Sequence, residues 1–314
     1  MLRRVAEDIR VGDNVESIVA LTLPFPGVSR VFEEAQKLNM LKLVVVDGEI
    51  ALPPARVYIL GAWAPIYSVL LSYLPADSKV GILWTSSCGE LSLEPIEQDY
   101  LSQIDINPRI KFIWFGDPSL AQVYSEKGFY APYPLKTDVE VPHVEKQNIV
   151  TLFCPPTLKK NILVQLVAIT LLQRTYNIIL HTNVPIDPRF AERIGLKFTV
   201  HPWMQREEYD KLIASSKLNF AVSLAETLNY QSAEAALLGT ASVVSHSIPW
   251  MKNSSLPIVQ NANDPLEIAL VAGAKLDTQQ AGQRAREVVL RYFEHANTEA
   301  RFALSRLILA NSAA

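Results

Sequence analysis

Apolar residues in the first half of the chain fall into short blocks with few polar positions. Such near-continuous runs are typical of parallel strands that are buried on both faces of a sheet. Residues 28–38 instead place apolar side chains at a spacing of three and four, which predicts a helix. The predicted strands of this half cover residues 17–23, 41–46, 57–60, 80–84 and 111–115.

The second half of the chain repeats this alternation. Strands are predicted at residues 148–153, 176–181, 197–200 and 218–224, with helices at 161–173, 190–194 and 207–214 and a helical C-terminus at 278–310. The alternation indicates an α/β fold with right-handed crossovers between parallel strands. Residues 136–147 are charged and irregular, which is typical of a linker. We therefore predict two doubly wound, Rossmann-like domains that face a cleft, residues 1–140 and 148–296, followed by residues 297–314.

The stretch 221–247 holds the best candidate site. Its pattern predicts a strand, a loop, a helix over 231–238 and a short strand over 241–245, with Gly239 ending the helix. Glu226 falls in the loop and Glu234 in the first turns of the helix. Ligands of open α/β sheets bind at the carboxyl ends of strands, where helix N-termini offer N–H groups to phosphates.

Residues 223–240 read SLAETLNYQSAEAALLGT. This sequence resembles the donor-site signature of retaining GT-B glycosyltransferases of the group-one type, S-x-x-E-G-F-G-L-P-x-x-E-A-x-x-x-G-T-P-V-V. The serine, both glutamates, the following alanine and the Gly-Thr pair are in register. Thr227 and Asn229 replace two glycines of the signature, while Gln231 and Ala241 replace its prolines. Because asparagine tolerates left-handed backbone, we expect Asn229 to form the turn. The alternative interpretation is an ordinary solvated helix with a capping acid.

The resemblance implies a GT-B fold whose second domain binds a nucleotide-sugar and whose terminal helix packs back on the first domain. Glu234 would then accept hydrogen bonds from the ribose, and Glu226 would orient the donor sugar and stabilise positive charge at its anomeric carbon. Lys160 matches the lysine that contacts the donor diphosphate and would act with Glu226 in catalysis. Two solvated lysines are the alternative at this position. The remaining expected donor contacts are Thr227, Leu228, Asn229, Lys159, His201 and Gly27.

Several positions differ from the family pattern. The arginine of the family's basic pair falls near Pro155, so Lys159 is the available substitute. His201-Pro-Trp203 follows a predicted strand where the family recognises the base, and we expect Trp203 to pack in the protein rather than stack on a base. Family members also carry a histidine in the first domain, whereas this chain has none before the linker. Its five histidines are His143, His181, His201, His246 and His295.

The net charge, the cysteines and the N-terminal residues bear on the partners, metal content and location to expect. The formal net charge is −3, so nothing favours a nucleic-acid surface. The two cysteines, Cys88 and Cys154, are far apart and lack metal-ligand spacing, so we expect a cytoplasmic protein without a metal ion. The first residues contain no apolar segment of a secretory signal.

One uncharged stretch, residues 57–76, is long enough to span a bilayer. Gly61, Pro65 and Pro75 interrupt it, so we predict a strand, a turn at 61–65 and a helix to residue 74. Any membrane contact would be peripheral, and its aromatic residues are Trp63, Tyr67 and Tyr73.

We expect a metal-independent hexosyltransferase that moves a sugar, with retention, from a UDP- or GDP-linked donor to a glycan, lipid-linked or protein acceptor. No cofactor is expected beyond this substrate. Two alternatives remain open. One is a nucleotide-sugar epimerase, and the other is a catalytically inactive GT-B-shaped protein that binds nucleotide or acts as a scaffold.

Overall fold

The computed structural model describes residues 16–23, 26–46, 52–61, 66–124, 126–251, 254, 256–278 and 280–309. They form two compact units. One comprises the residues up to Lys136 and those from Phe293 onwards, and the other is Thr137–Tyr292. Trp63, most of the turn predicted at 61–65 and the first 15 residues lie outside the described part of the chain.

The first unit contains a six-stranded parallel sheet in the order β2-β1-β3-β4-β5-β6. Each of the five apolar blocks predicted as a strand contributes one strand. The central residues of β1, β3, β4 and β5 are buried because helices cover the sheet, whereas β2, at the sheet edge, is only partly buried. The strands are β1 Glu16–Thr22, β2 Lys42–Val45, β3 Ala55–Gly61, β4 Lys79–Trp84, β5 Ile110–Phe115 and β6 Gly128–Tyr130.

The helices of the first unit are α1 Pro26–Lys37, α2 Ile66–Tyr73, α3 Cys88–Leu93, α4 Pro95–Ile106 and α5 Pro118–Val123. Neither α3 nor α4 was predicted from the sequence. Ser87 and Glu90 form a capping box at the start of α3: the Glu90 N–H donates to the Ser87 hydroxyl (3.3 Å), and the Ser87 N–H donates to the Glu90 carboxylate (2.7 Å). Tyr67 of α2 is buried in the core of this unit.

The second unit contains a five-stranded parallel sheet in the order β11-β10-β7-β8-β9. Its strands are β7 Ile149–Leu152, β8 Ile179–Thr182, β9 Phe198–Val200, β10 Leu218–Ala221 and β11 Ala241–Val244. Its helices are α6 Ile162–Gln173, α7 Pro188–Ile194, α8 Arg206–Ser215, α9 Tyr230–Leu237 and α10 Pro265–Asp277. The chain runs outwards from β7 to β9 and then returns to the other side of β7 as β10. The strand order therefore reverses between β7 and β10.

Three helices begin with the same dipeptide. Asp117, Asp187 and Asp264 are the N-caps of α5, α7 and α10, and a proline follows each of them. Each carboxylate accepts a hydrogen bond from a backbone N–H of the first turn, while proline fits a position whose N–H would have no intrahelical partner. Asp-Pro therefore marks where these helices start.

A buried polar cluster fixes the middle of the second sheet. The side-chain oxygen of Asn219, in β10, accepts hydrogen bonds from Thr151 of β7 (3.2 Å) and Gln231 of α9 (2.9 Å). Its nitrogen donates to Ser242 of β11 (2.9 Å). Since an unpaired buried amide costs free energy, the cluster favours this strand register and this seating of α9.

The last helix, α11 Ala281–Leu309, belongs to the second unit up to Tyr292 and to the first unit from Phe293. In the first unit, the Asn297 amide exchanges two hydrogen bonds with the backbone of Leu135, at 3.0 and 2.8 Å. Arg301 donates to the carbonyl of Leu38 at 2.7 Å. None of the described helices is long and apolar enough to cross a membrane.

Candidate functional site

The candidate site lies where the strand order of the second sheet reverses. β7 and β10 are neighbours there, and two loops leave their carboxyl ends, residues 153–161 and 222–229. In open α/β sheets this is the position of the ligand crevice. β10 ends at Ala221, so Ser223, predicted to lie in the strand, belongs to the loop.

An ion pair joins the two loops. The Nζ of Lys160 contacts the Oε1 of Glu226, and the side chains are only 15% and 8% exposed. The same oxygen accepts hydrogen bonds from the Ser223 hydroxyl (2.9 Å) and the Asn229 amide (3.2 Å). Lys160 is thus a partly buried ion-pair partner of Glu226, so the solvated-lysine alternative is wrong for it.

Backbone contacts fix the position of Lys160. It ends a short 3-10 helix, Leu158–Lys160, and Asn161 follows in left-handed conformation with φ 49°. The Gln165 side chain receives a hydrogen bond from the Val222 N–H (2.9 Å) and donates to the Lys160 carbonyl (2.7 Å). The Leu224 N–H donates to the carbonyl of Lys159 (2.8 Å). The two loops are therefore held together by main-chain hydrogen bonds as well as by charge.

Asn229 forms the turn into α9. Its φ is 62°, and its side-chain oxygen caps the helix by accepting from the Ser232 N–H at 2.9 Å. Thr227, which replaces the other glycine of the signature, does not have positive φ. The left-handed turn predicted at Asn229 is confirmed, and the substituted signature still begins a helix beside the ion pair.

Glu234 pairs with an arginine from a different helix. The Nη1 of Arg206, the first residue of α8, lies 3.1 Å from the Oε1 of Glu234, and the guanidinium Nε donates to Asp210 at 3.0 Å. Burial alone lowers the pKa of Arg206, but the carboxylates of Glu234 and Asp210 outweigh it, so the net pKa is raised. Glu234 is buried, hence the interpretation of this stretch as an ordinary solvated helix is wrong.

Cys154 lies near the Lys160–Glu226 pair. Burial raises the pKa of its thiol to about 11; the charge of Lys160 lowers the pKa and that of Glu226 raises it. The thiol is therefore protonated at neutral pH, and it is a poor nucleophile in this environment.

His201 follows β9 and pairs with His181 of β8. The Nε2 of His201 is 2.8 Å from the Nδ1 of His181, and the His201 N–H donates to the Thr182 carbonyl at 2.7 Å. Burial and then the charge of His201 lower the pKa of His181. Trp203, which we expected to pack in the protein, is 88% exposed, so that prediction is wrong.

The structure brings together the sequence-predicted residues of the second unit at the ends of β7 and β10. Lys159, Lys160, Glu226, Thr227, Leu228 and Asn229 lie on the two joined loops, and Glu234 lies on the helix that follows. His201 follows β9, two strands along from β7. Gly27 lies in the first turn of α1, in the other unit. Within the described ranges, no group of three or more His, Cys, Asp or Glu side chains is arranged to hold a metal ion.

Three features of the site were not predicted from the sequence: Arg206, Gln165, and Ser223 as a partner of Glu226. Ser223 was visible as the first residue of the signature. Arg206 begins the segment REEYDK, whose charges read as a solvated helix face, and only the fold shows its contact with Glu234. Gln165 lies in an apolar helix, where a lone amide is a weak signal in sequence.

Comparisons with known proteins identify the fold. No family model and no curated protein matches the sequence. Among solved structures, an α,α-trehalose-phosphate synthase (UDP-forming) from Burkholderia vietnamiensis is similar with a TM-score of 0.70 at 9% identity, covering 96% of this chain and 98% of that one. The trehalose-6-phosphate synthase from E. coli bound to UDP-2-fluoro glucose has a TM-score of 0.64 at 9% identity, covering 94% and 98%.

A TarM variant from S. aureus in complex with UDP and α-GlcNAc-glycerol has a TM-score of 0.63 at 13% identity, covering 80% of this chain and 55% of that one. These neighbours are GT-B glycosyltransferases, so this chain has the GT-B fold.

Proposed function

We propose that the chain is a glycosyltransferase that takes a sugar from a nucleotide-sugar donor with retention of anomeric configuration. The observation that carries the proposal is the partly buried Lys160–Glu226 ion pair at the reversal of strand order, beside the N-terminus of α9. The site combines a cation and helix N–H groups for a diphosphate with a carboxylate for the sugar. The presence of UDP or a UDP-sugar in two of the structural neighbours makes UDP the first candidate, with GDP second.

In this mechanism the bond between the anomeric carbon and the diphosphate oxygen breaks, and its electron pair goes to that oxygen. The acceptor hydroxyl oxygen bonds to the same face of the anomeric carbon, and its proton passes to the leaving phosphate. Lys160 and the N–H groups at Leu228 and Asn229 stabilise the negative charge that develops on the diphosphate. Glu226 stabilises the positive charge that develops on the sugar.

The remaining assignments follow the resemblance to the family signature. In this proposal Glu234 binds the ribose, and Thr227, Lys159, His201 and Gly27 are the further donor contacts. Proton transfer to the leaving phosphate needs no protein base, which fits a chain with no histidine before residue 143. The proposed reaction uses no metal ion and no cofactor, and the chain acts in the cytoplasm.

A second candidate is a nucleotide-binding protein of the same fold without turnover. It is favoured by Pro155 in place of the basic-pair arginine and by the replaced signature residues Thr227 and Gln231. An epimerase, the third candidate, would convert one nucleotide-sugar into another without an acceptor.

The test is thermal shift with UDP, GDP, ADP and their glucose conjugates, followed by NMR of the stabilising nucleotide-sugar with and without candidate acceptors. We expect one nucleotide to stabilise the protein and an acceptor-dependent α-glycoside to appear from its α-linked donor. Stabilisation without turnover would favour the binding protein, and conversion without acceptor the epimerase. If no nucleotide stabilised the chain, the proposal would be overturned.

A further inference from the structure

Arg206 has no role in the proposed mechanism, although it donates a hydrogen bond to Glu234, a residue that the mechanism uses. It begins α8, whereas Glu234 lies within α9, so the contact joins two helices that are separated in sequence by β10. The Arg206 side chain is 49% exposed and that of Glu234 is 11% exposed. The arginine therefore lies at the solvent side of a nearly buried carboxylate.

The guanidinium group of Arg206 is held on three sides. Its Nη1 donates to Glu234 at 3.1 Å, its Nε donates to Asp210 at 3.0 Å, and the ring of Tyr209 lies 5.9 Å from its central carbon. A planar guanidinium that is fixed by two carboxylates presents its N–H groups in one orientation. The first turn of α8 therefore sets the direction from which the Arg206 guanidinium contacts the Glu234 carboxylate.

The Arg206–Glu234 contact matters because it balances the charge of a nearly buried carboxylate. A carboxylate that is almost buried requires a charged or hydrogen-bonding partner. Lys160 supplies it for Glu226, and Arg206 supplies it for Glu234. A carboxylate accepts up to about four hydrogen bonds, so a bond from Arg206 is compatible with bonds from ligand hydroxyl groups.

We propose that Arg206 is a positioning residue for ribose recognition: it holds the Glu234 carboxylate in the orientation that accepts the ribose hydroxyl groups of the nucleotide. This inference rests on the proposed assignment of Glu234 to the ribose. Arg206 then sets a preference for ribonucleotides over nucleotides that lack these hydroxyl groups, without taking part in sugar transfer.

The experiment measures Kd by calorimetry for two ligands, UDP and 2′,3′-dideoxyuridine diphosphate, or the guanine pair if GDP is the nucleotide that binds. The variants are Arg206→Gln, Asp210→Asn, which removes the negative charge that anchors the Arg206 Nε, and the control Lys211→Gln. Lys211 lies on the same helix in an exposed ion pair with Glu207 at 2.8 Å. Loss of one hydrogen bond to a charged group corresponds to about tenfold or more in affinity.

We expect the wild-type protein to bind UDP at least about tenfold more tightly than the dideoxy ligand, because the dideoxy ligand lacks the hydroxyl groups that would bond to the charged Glu234 carboxylate. Arg206→Gln should abolish most of that preference by weakening UDP binding alone, and Asp210→Asn should reduce it in part. Lys211→Gln should leave it unchanged. If Arg206→Gln does not fold, Asp210→Asn decides the question.

An equal loss of affinity for both ligands, or an unchanged preference, would overturn the inference and leave nucleotide binding standing. The absence of any preference in the wild-type protein would overturn the inference together with the ribose role of Glu234. If no nucleotide bound the wild-type protein, the inference and the proposed function would both fall.

Discussion

The side-chain amide of Asn229 donates a 3.2 Å hydrogen bond to Oε1 of Glu226, while the backbone of Asn229 is left-handed at φ 62°. One residue thus forms the turn, caps α9 through its oxygen and orients the candidate catalytic carboxylate through its nitrogen. The glycine of the family signature can form only the turn.

These roles of Asn229 can be separated by substitution. Asn229→Gly keeps the positive φ, and glycine at an N-cap costs only a few tenths of a kcal/mol, so we expect a nearly unchanged free energy of unfolding. Asn229→Ala also strains the backbone and should cost about 1–2 kcal/mol. Both variants lose the bond to Glu226, so both should lower kcat for sugar transfer. Urea unfolding and initial rates measure the two effects. Full activity in Asn229→Gly would show that the amide does not orient Glu226.

The Lys160–Glu226 pair should show strong energetic coupling. Lys160→Met leaves Glu226 nearly buried without its cation, and we expect it to destabilise the second unit by about 2 kcal/mol. In the double variant with Glu226→Gln the loss should be smaller than the sum of the single losses, by about 1 kcal/mol or more.

Urea unfolding of the wild-type, two single and double-variant proteins provides the measurement. Glu207 and Lys211 are the matched control, because they form an exposed ion pair with expected coupling of about 0.3–0.5 kcal/mol. Additive effects at Lys160 and Glu226 would mean that their contact does not stabilise the fold.

Lys275 lies on the buried face of α10. Its burial predicts that the free energy of unfolding rises with pH in the alkaline range. Its side chain is only 3% exposed, and burial lowers its pKa from 10.5 to about 8. Between these values the unfolded chain binds a proton that the folded chain has released, so the free energy of unfolding rises with pH in that interval. Below pH 8 the burial of the charge is a net cost.

Lys275→Met should therefore stabilise the protein at pH 7, by up to about 3 kcal/mol at roughly 1.4 kcal/mol per pKa unit. It should also remove the part of the alkaline rise that belongs to this lysine. Thermal unfolding at pH 7, 8, 9 and 10 tests both effects, with the exposed Lys217→Met as control. Equal slopes in the two variants would contradict the prediction.

Trp203 is exposed beside His201, in the segment where the family recognises the base. Trp203→Ser should change the free energy of unfolding by less than about 0.5 kcal/mol, as expected for a surface position. If the indole stacks on the base, the same variant should weaken nucleotide binding by about 1–3 kcal/mol. Calorimetry of both proteins with the stabilising nucleotide measures this, and unchanged affinity would exclude stacking.

Most strands were predictable because a parallel sheet buried on both faces leaves a direct trace, a run of apolar residues. β8 was predicted at 176–181 and lies at Ile179–Thr182. Tyr176 lies in a bend after α6, and its hydroxyl donates to Asp277 at 2.9 Å. α3 and α10 were missed although their signals were present, the Ser87–Glu90 capping box and Asp264-Pro265.

The site was predictable to the extent that its chemistry lies in local sequence. Glu226, Asn229 and Glu234 fall within nine consecutive positions, and Lys160 follows a strand at a family spacing. The contacts of Lys160 with Glu226 and of Arg206 with Glu234 join residues that are 66 and 28 positions apart. No local pattern records such contacts, because they depend on which strands become neighbours.

The buried amide of Asn219 constrains which residue can evolve at position 231. Gln231, which stands where the signature has proline, donates to that amide at 2.9 Å, and a proline side chain has no hydrogen-bond donor. A substitution at position 231 therefore changes which residue is favoured at position 219, and the reverse. In an alignment of homologous sequences, we expect the pair to covary: glutamine at the first turn of α9 with asparagine in β10, and proline with an apolar residue.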